Sequence, residues 1–94
     1  MIDRLSDPQI ENSLKSLPGW EKHTNRHAIQ QSFKFKDFKE AWDFMSKIAL
    51  LAEEMDHHPE WSNIYNRVDI ILTTHDANGI SERDIKMAQH INNL

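Results

Sequence analysis

The sequence has no cysteine, only two glycines, three prolines and one tyrosine among its 94 residues, and its longest purely apolar run is Ile48 to Ala52. Without cysteine there is no disulfide framework, no thiol nucleophile and no thiolate zinc site, and a reducing, cytoplasmic setting is expected. Two glycines cannot build a phosphate-cradling loop, and no serine stands in a GxSxG elbow. The apolar run is far short of the ~20 residues of a membrane span. Positive charge is also scarce: 11 Lys and Arg face 15 Asp and Glu, for a net charge of −4. No basic tract is available to neutralise phosphates, so neither a nucleic acid nor an anionic membrane surface is an expected partner. The start, MIDRLSDPQI, is acidic and broken by Pro8, unlike a secretory signal.

What is present describes a folded chain. It is 38% hydrophobic and 28% charged, with four Phe and three Trp, too apolar for a disordered segment. The length argues for a single domain over residues 1–94. So short a chain buries only roughly 60 to 70% of its unfolded surface, so a partner subunit would add useful burial.

Hydrophobic periodicity sets the element order. Ser6 or Asp7 can cap a helix with Pro8 in its first turn, Ile10, Leu14 and Leu17 on one face, and Pro18-Gly19 as its stop. The period then changes to two: Ile29, Phe33 and Phe35 alternate with polar residues, and Trp20 to His23 forms the partner strand of a hairpin. From Asp37 to His57 a helix of about five to six turns places Phe38, Ala41, Trp42, Met45, Ile48, Ala49 and Ala52 on its buried face. Beside them Phe44, Leu51 and Met55 make a second stripe, covered by the fold itself or by another subunit. Pro59 ends the helix. A second hairpin pairs Asn63–Tyr65 with Val68–His75 across an Asn66-Arg67 turn, with Val68, Ile70, Leu72 and Thr74 on one face. The last helix opens with a capping box, Ser81 with Asp84, and a hydrophobic staple, Ile80 with Ile85. The order α-β-β-α-β-β-α implies an α+β domain: a four-stranded antiparallel sheet with three helices on one face.

Polar chemistry concentrates in Asp56-His57-His58-Pro59-Glu60-Trp61, followed by His75. The second hairpin can return His75 to the end of the long helix, where His57 and His58 lie. Two or three imidazoles, Asp56 and an indole wall from Trp61 or Trp20 would then surround a flat polar ligand. Histidines near neutral pH suit paired proton donation and acceptance. A metal site is disfavoured, because no HExxH spacing occurs and adjacent histidines rarely share one ion. His23, His27 and His90 read as ordinary surface residues.

DHHPEW at 56–61, NIYNRV at 63–68, TTH at 73–75 and GISERD at 79–84 resemble the pterin-4a-carbinolamine dehydratase family, known in animals also as a dimerisation cofactor of a homeodomain transcription factor. The likeness extends upstream through Gly19-Trp20, FKFKDF at 33–38 and the long helix. It implies dehydration of 4a-hydroxytetrahydropterin, released by aromatic amino acid hydroxylases, to quinonoid dihydropterin in tetrahydrobiopterin recycling. The pterin is substrate, and neither metal nor added cofactor is needed. His57, His58 and His75 would carry the acid-base work, with His75 and His57 as the central pair. Glu53 and Asp56 would orient them, and Trp20, Pro59, Thr74 and Asp76 would line the pterin site. A dimer or tetramer is implied, with Phe44, Leu51 and Met55 as the candidate contact. Asp84 belongs to the family signature, yet the capping box with Ser81 accounts for it, so it is assigned to structure. The competing function is a partner-binding dimeric module with little catalytic role.

Overall fold

A computed structural model describes residues 2–94. Helix α1 (Asp7–Leu14) is followed by strands β1 (Glu21–Lys22) and β2 (Ile29–Lys34). Helix α2 (Phe38–Met55), strands β3 (Glu60–Ile64) and β4 (Arg67–Leu72), a 3₁₀ turn at His75–Ala77 and helix α3 (Glu82–Asn92) complete the chain. The strands form one antiparallel sheet in the order β1-β2-β4-β3, so each hairpin contributes an edge and β2 meets β4 at the centre. This is the α+β arrangement that periodicity implied.

In β4, Val68, Ile70 and Leu72 are buried, while Asp69 and Ile71 on the opposite face are only half-buried. The buried face meets Ile29 of β2, Ala41, Ile48 and Ala52 of α2, and Ile85, Ala88 and Ile91 of α3 in one core. Two glutamine or carboxylate caps hold helix starts: Ser6 and Gln9 cap each other at α1, and Asp37 accepts the Glu40 amide at α2.

Several boundaries depart from expectation for local reasons. Helix α1 stops at Leu14, although Leu17 still reaches the core after a turn. Strand β1 keeps two residues, because Trp20 turns inward with 5% of its surface exposed. The second hairpin turns at Tyr65-Asn66, one residue early: Arg67 pairs with Ile64, and the Asn66 side chain donates to the Phe35 carbonyl at 2.9 Å. Strand β4 ends at Leu72, and His75 opens the 3₁₀ turn that leaves the sheet.

Helix α2 bears out one of the two readings of its second stripe and corrects part of the first. Phe44, Leu51 and Met55 pack against the chain's own core, with the Phe44 ring 4.8 Å from Phe33 and 4.9 Å from Phe35. Phe38 and Trp42, expected inside, are 48% and 56% exposed and stack on each other. The buried arc is therefore centred on Ala41, Ile48 and Ala52 and extends toward Phe44 rather than Trp42. Small alanines let the helix sit close to the sheet, and Phe33 of β2 with Phe35 just after it draws the contact to that side.

Candidate active site

The site is built where α2 ends, β4 ends and α3 begins. Asp56 follows α2 in a left-handed conformation (φ 49°), and the Asp56 and His57 amides both donate to the Ala52 carbonyl. That reversal stops the helix three residues before Pro59 and turns the His57 ring under it, toward α3. His57 is only 7% exposed, whereas His58, held extended before Pro59, stays outside.

Beneath the cleft lies a closed polar network. The His57 Nε2–H donates to Asp84 Oδ1 at 2.6 Å, and Asp84 Oδ2 accepts from Thr74 Oγ1 at 2.8 Å and from the Ser81 amide at 2.9 Å. Because the single Thr74 proton goes to Asp84, the Ser81 hydroxyl donates to Thr74 Oγ1 (2.6 Å) while accepting the Arg83 amide (3.2 Å). Asp84 is fully buried, a costly place for a carboxylate unless donors surround it, as they do here. Among the described residues, no fully buried side-chain nitrogen or oxygen lacks a partner. The capping box at Ser81 is real, but it occupies only one of the two Asp84 oxygens. Asp84 is therefore the helix cap that the sequence implied, and its second oxygen also holds the His57 ring.

Above this network Asp56, His57, His58, Thr73, Thr74, His75, Asp76 and Arg83 line a shallow cleft of about 230 Å³. The two chain segments that motif spacing placed together do meet. Glu53 stands outside the lining but binds His58 Nε2 at 2.6 Å, through side chains that are both more than half exposed. Pro59 sets the direction of His58 without lining the cleft. Trp20 is elsewhere: its indole N–H donates to Asn92 at 3.0 Å and its ring lies edge-on to Phe33, so it is a core residue. Trp61 also packs against the core from β3. Among the described residues, no three His, Asp or Glu side chains converge as metal ligands.

Charge around His75 comes from the neighbouring sheet edge. Glu60 is held below the usual carboxylate range chiefly by its paired hydrogen bonds with Arg26, both 2.8 Å, with a smaller attraction from His75. Sequence reasoning missed Thr73, Arg83 and the His57–Asp84 contact. One signal was available: Asp84, Ala88 and Ile91 share a helical face, and a carboxylate on a buried stripe needs a partner beyond its own cap.

The family model described as pterin 4 alpha carbinolamine dehydratase matches residues 3–94. The chain belongs to this dehydratase family. A pterin-4-alpha-carbinolamine dehydratase, so named provisionally, from Nitrobacter winogradskyi is 49% identical over 92 residues, covering 98% of this chain and 91% of the relative. A Brucella ovis protein with the same provisional name is 53% identical over 90 residues, covering 96% and 93%. The crystal structure of a transcriptional coactivator/pterin dehydratase from Brucella melitensis superposes with a TM-score of 0.95 at 53% identity, covering 97% of each chain. Pterin-4a-carbinolamine dehydratase family membership thus spans the helix end, the 3₁₀ turn and the start of α3 that together form the cleft.

Proposed function

We propose that this chain dehydrates 4a-hydroxytetrahydropterin to quinonoid dihydropterin and water, by histidine acid-base catalysis without a metal or added cofactor. The observation that carries the reading is the buried His57–Asp84 pair, 2.6 Å apart, beneath a cleft that also presents His75. A carboxylate on Nε2 fixes the tautomer of His57 and leaves Nδ1 to face substrate, the arrangement by which a buried aspartate orients a catalytic imidazole. In the reaction the C4a–O bond breaks as a ring nitrogen supplies its electron pair. One imidazolium donates the proton that lets hydroxide leave as water. A neutral imidazole takes a proton from a ring nitrogen, completing the quinonoid product and restoring the pair's total proton count. His57 and His75 are this central pair. His58, tied to Glu53 and more exposed, binds the ring or serves the opposite stereoisomer. Thr74, Asp56, Asp76 and Arg83 bound the pterin. Such chemistry is worth roughly 10² to 10⁴-fold.

The test is the decay of freshly generated 4a-hydroxytetrahydropterin. Wild-type protein should accelerate it, and His75→Ala should remove most of the acceleration; equal decay with and without wild-type protein overturns the reading. In a cell this activity would serve tetrahydrobiopterin recycling beside an aromatic amino acid hydroxylase, in the cytoplasm. A homo-oligomer is part of the proposal, with the stacked, exposed Phe38 and Trp42 as the contact in place of Phe44, Leu51 and Met55. The same face supports a second role in binding a protein partner, in keeping with the coactivator description of the Brucella melitensis structure.

A further inference from the structure

His27, which reads as an ordinary surface residue in the sequence, grips the turn that carries His75 from both sides. Its Nδ1 accepts the Ile80 amide at 2.8 Å, and its carbonyl accepts the Thr73 hydroxyl at 2.9 Å. Its ring also fills the space over Gly79: a Cβ built on that glycine would lie 2.3 Å from His27 Nδ1, and the φ of +156° already disfavours a side chain there. Between these attachment points the chain closes on itself, with reciprocal Thr74–Gly79 backbone hydrogen bonds of 2.9 and 3.2 Å and a 3₁₀ turn that begins at His75. His27 and His75 border a second cleft, of about 310 Å³, which shares Thr73, Thr74 and His75 with the candidate site.

We propose that His27 is a positioning residue: its neutral ring clamps the 74–79 turn and so sets where His75 stands in the active-site cleft, and gain of a proton at Nδ1 releases the clamp. This deepens the dehydratase reading and, for its effect on turnover, rests on it. The hydrogen bond fixes the sign. An Nδ1 that accepts the Ile80 N–H must be unprotonated, so the ring carries its single proton on Nε2. A second proton at Nδ1 would put two donors face to face and leave the Ile80 amide without its acceptor.

The surroundings favour the clamped state. Burial of the ring, then the charges of Arg4 on the N-terminal segment and Lys22 on β1, lower the pKa of His27 below 6.5, with Asp7 of α1 opposing them. Arg26 and His75 are the remaining charged or titratable groups on the shared cleft. His27 therefore stays neutral above 6.5, and its clamp weakens as acidity takes the ring through its lowered pKa.

The experiment reads the clamp and the chemistry separately. Hydrogen exchange of the Ile80 amide, normalised to its intrinsic rate, is followed against pH in the wild type and in His27→Asn, whose side-chain oxygen can accept at the Nδ1 position without titrating. Wild-type protection should fall about tenfold on acidification, the scale of one hydrogen bond, whereas His27→Asn protection should stay constant. Carbinolamine dehydration is measured over the same range. The Asn variant should match the wild type at neutral pH and retain at least twofold more of its kcat on the acid side. His27→Leu should lose kcat at all pH values, with KM changed less. Ile80 protection that ignores both pH and the Asn substitution overturns the clamp whatever the activity. A pH-sensitive clamp in a protein that dehydrates nothing instead overturns the functional reading and leaves the clamp standing. Equal acid limbs for wild type and His27→Asn overturn the link between clamp and turnover.

Discussion

Asp84 is the residue whose meaning changed most. As a capping-box member it would contribute stability alone, but its second oxygen carries the His57 ring. Asp84→Asn should therefore act on both. An amide cannot accept at both positions, so a donor from His57, Thr74 or Ser81 is left unmatched, at a cost of about 1 to 3 kcal/mol. Turnover per folded molecule should fall as well, because the His57 tautomer is no longer fixed. Denaturant unfolding beside carbinolamine kinetics checks this, and unchanged kcat in a folded variant would return Asp84 to a purely structural role. The sequence made the residue types of the site legible through DHHPEW and the following His75, since motif spacing is local. It did not make Trp20 legible: an indole fits a ligand wall and a core equally well in one dimension, and its Asn92 partner lies 72 residues away.

At the scale of elements, the three helices and strands β2 and β4 could be read because each buries one face and displays its period. Their ends were harder, because ends are set by backbone reversals and side-chain bonds that periodicity does not carry. Pro59 announces that α2 must stop, but the stop comes earlier, at the left-handed Asp56. A left-handed residue costs L-side chains roughly 1 to 2 kcal/mol, least for Asp, Asn and Gly. Asp56→Gly should thus hold or raise the thermal midpoint, while Asp56→Val should lower stability by about that amount. Equal midpoints for Gly and Val would show that the reversal is not what fixes the helix end. The stripes of α2 teach a related lesson: Trp42 and Phe44 both border Ala41 and Ile48 but on opposite sides, and Phe33 of β2 with Phe35 just after it decides which side turns inward.

For the whole molecule, the exposed Phe38–Trp42 face and the packed Leu51 allow the proposed association to be tested apart from folding. Trp42→Glu should lower the sedimentation coefficient and keep the fold, whereas Leu51→Glu should destabilise the protomer itself. A lowered sedimentation coefficient for Leu51→Glu with an unchanged melting point would restore the original interface. Stability should also fall with acid in two stages. His27 is lowered below 6.5, so its folded-state penalty appears as pH drops through 6.5 toward that lower value. Glu60 and Asp69 lie below 4.5 and 3.8, through hydrogen bonds from Arg26 and Ser32 respectively. Their contribution is complete above those values and is lost as pH falls through the depressed pKa values. Thermal midpoints measured against pH should show both stages, with the first absent in His27→Asn; a single fall below 4.5 would contradict the assignment to His27.

The central claim is that His57, fixed by Asp84, and His75 act together on one pterin. Decay of 4a-hydroxytetrahydropterin should be followed with wild type, His57→Ala, His75→Ala and the double variant, each checked for folding. If the two imidazoles work as a unit, each single substitution removes most of the acceleration, and the double variant is scarcely slower than either. Full acceleration retained by either single variant would contradict the account.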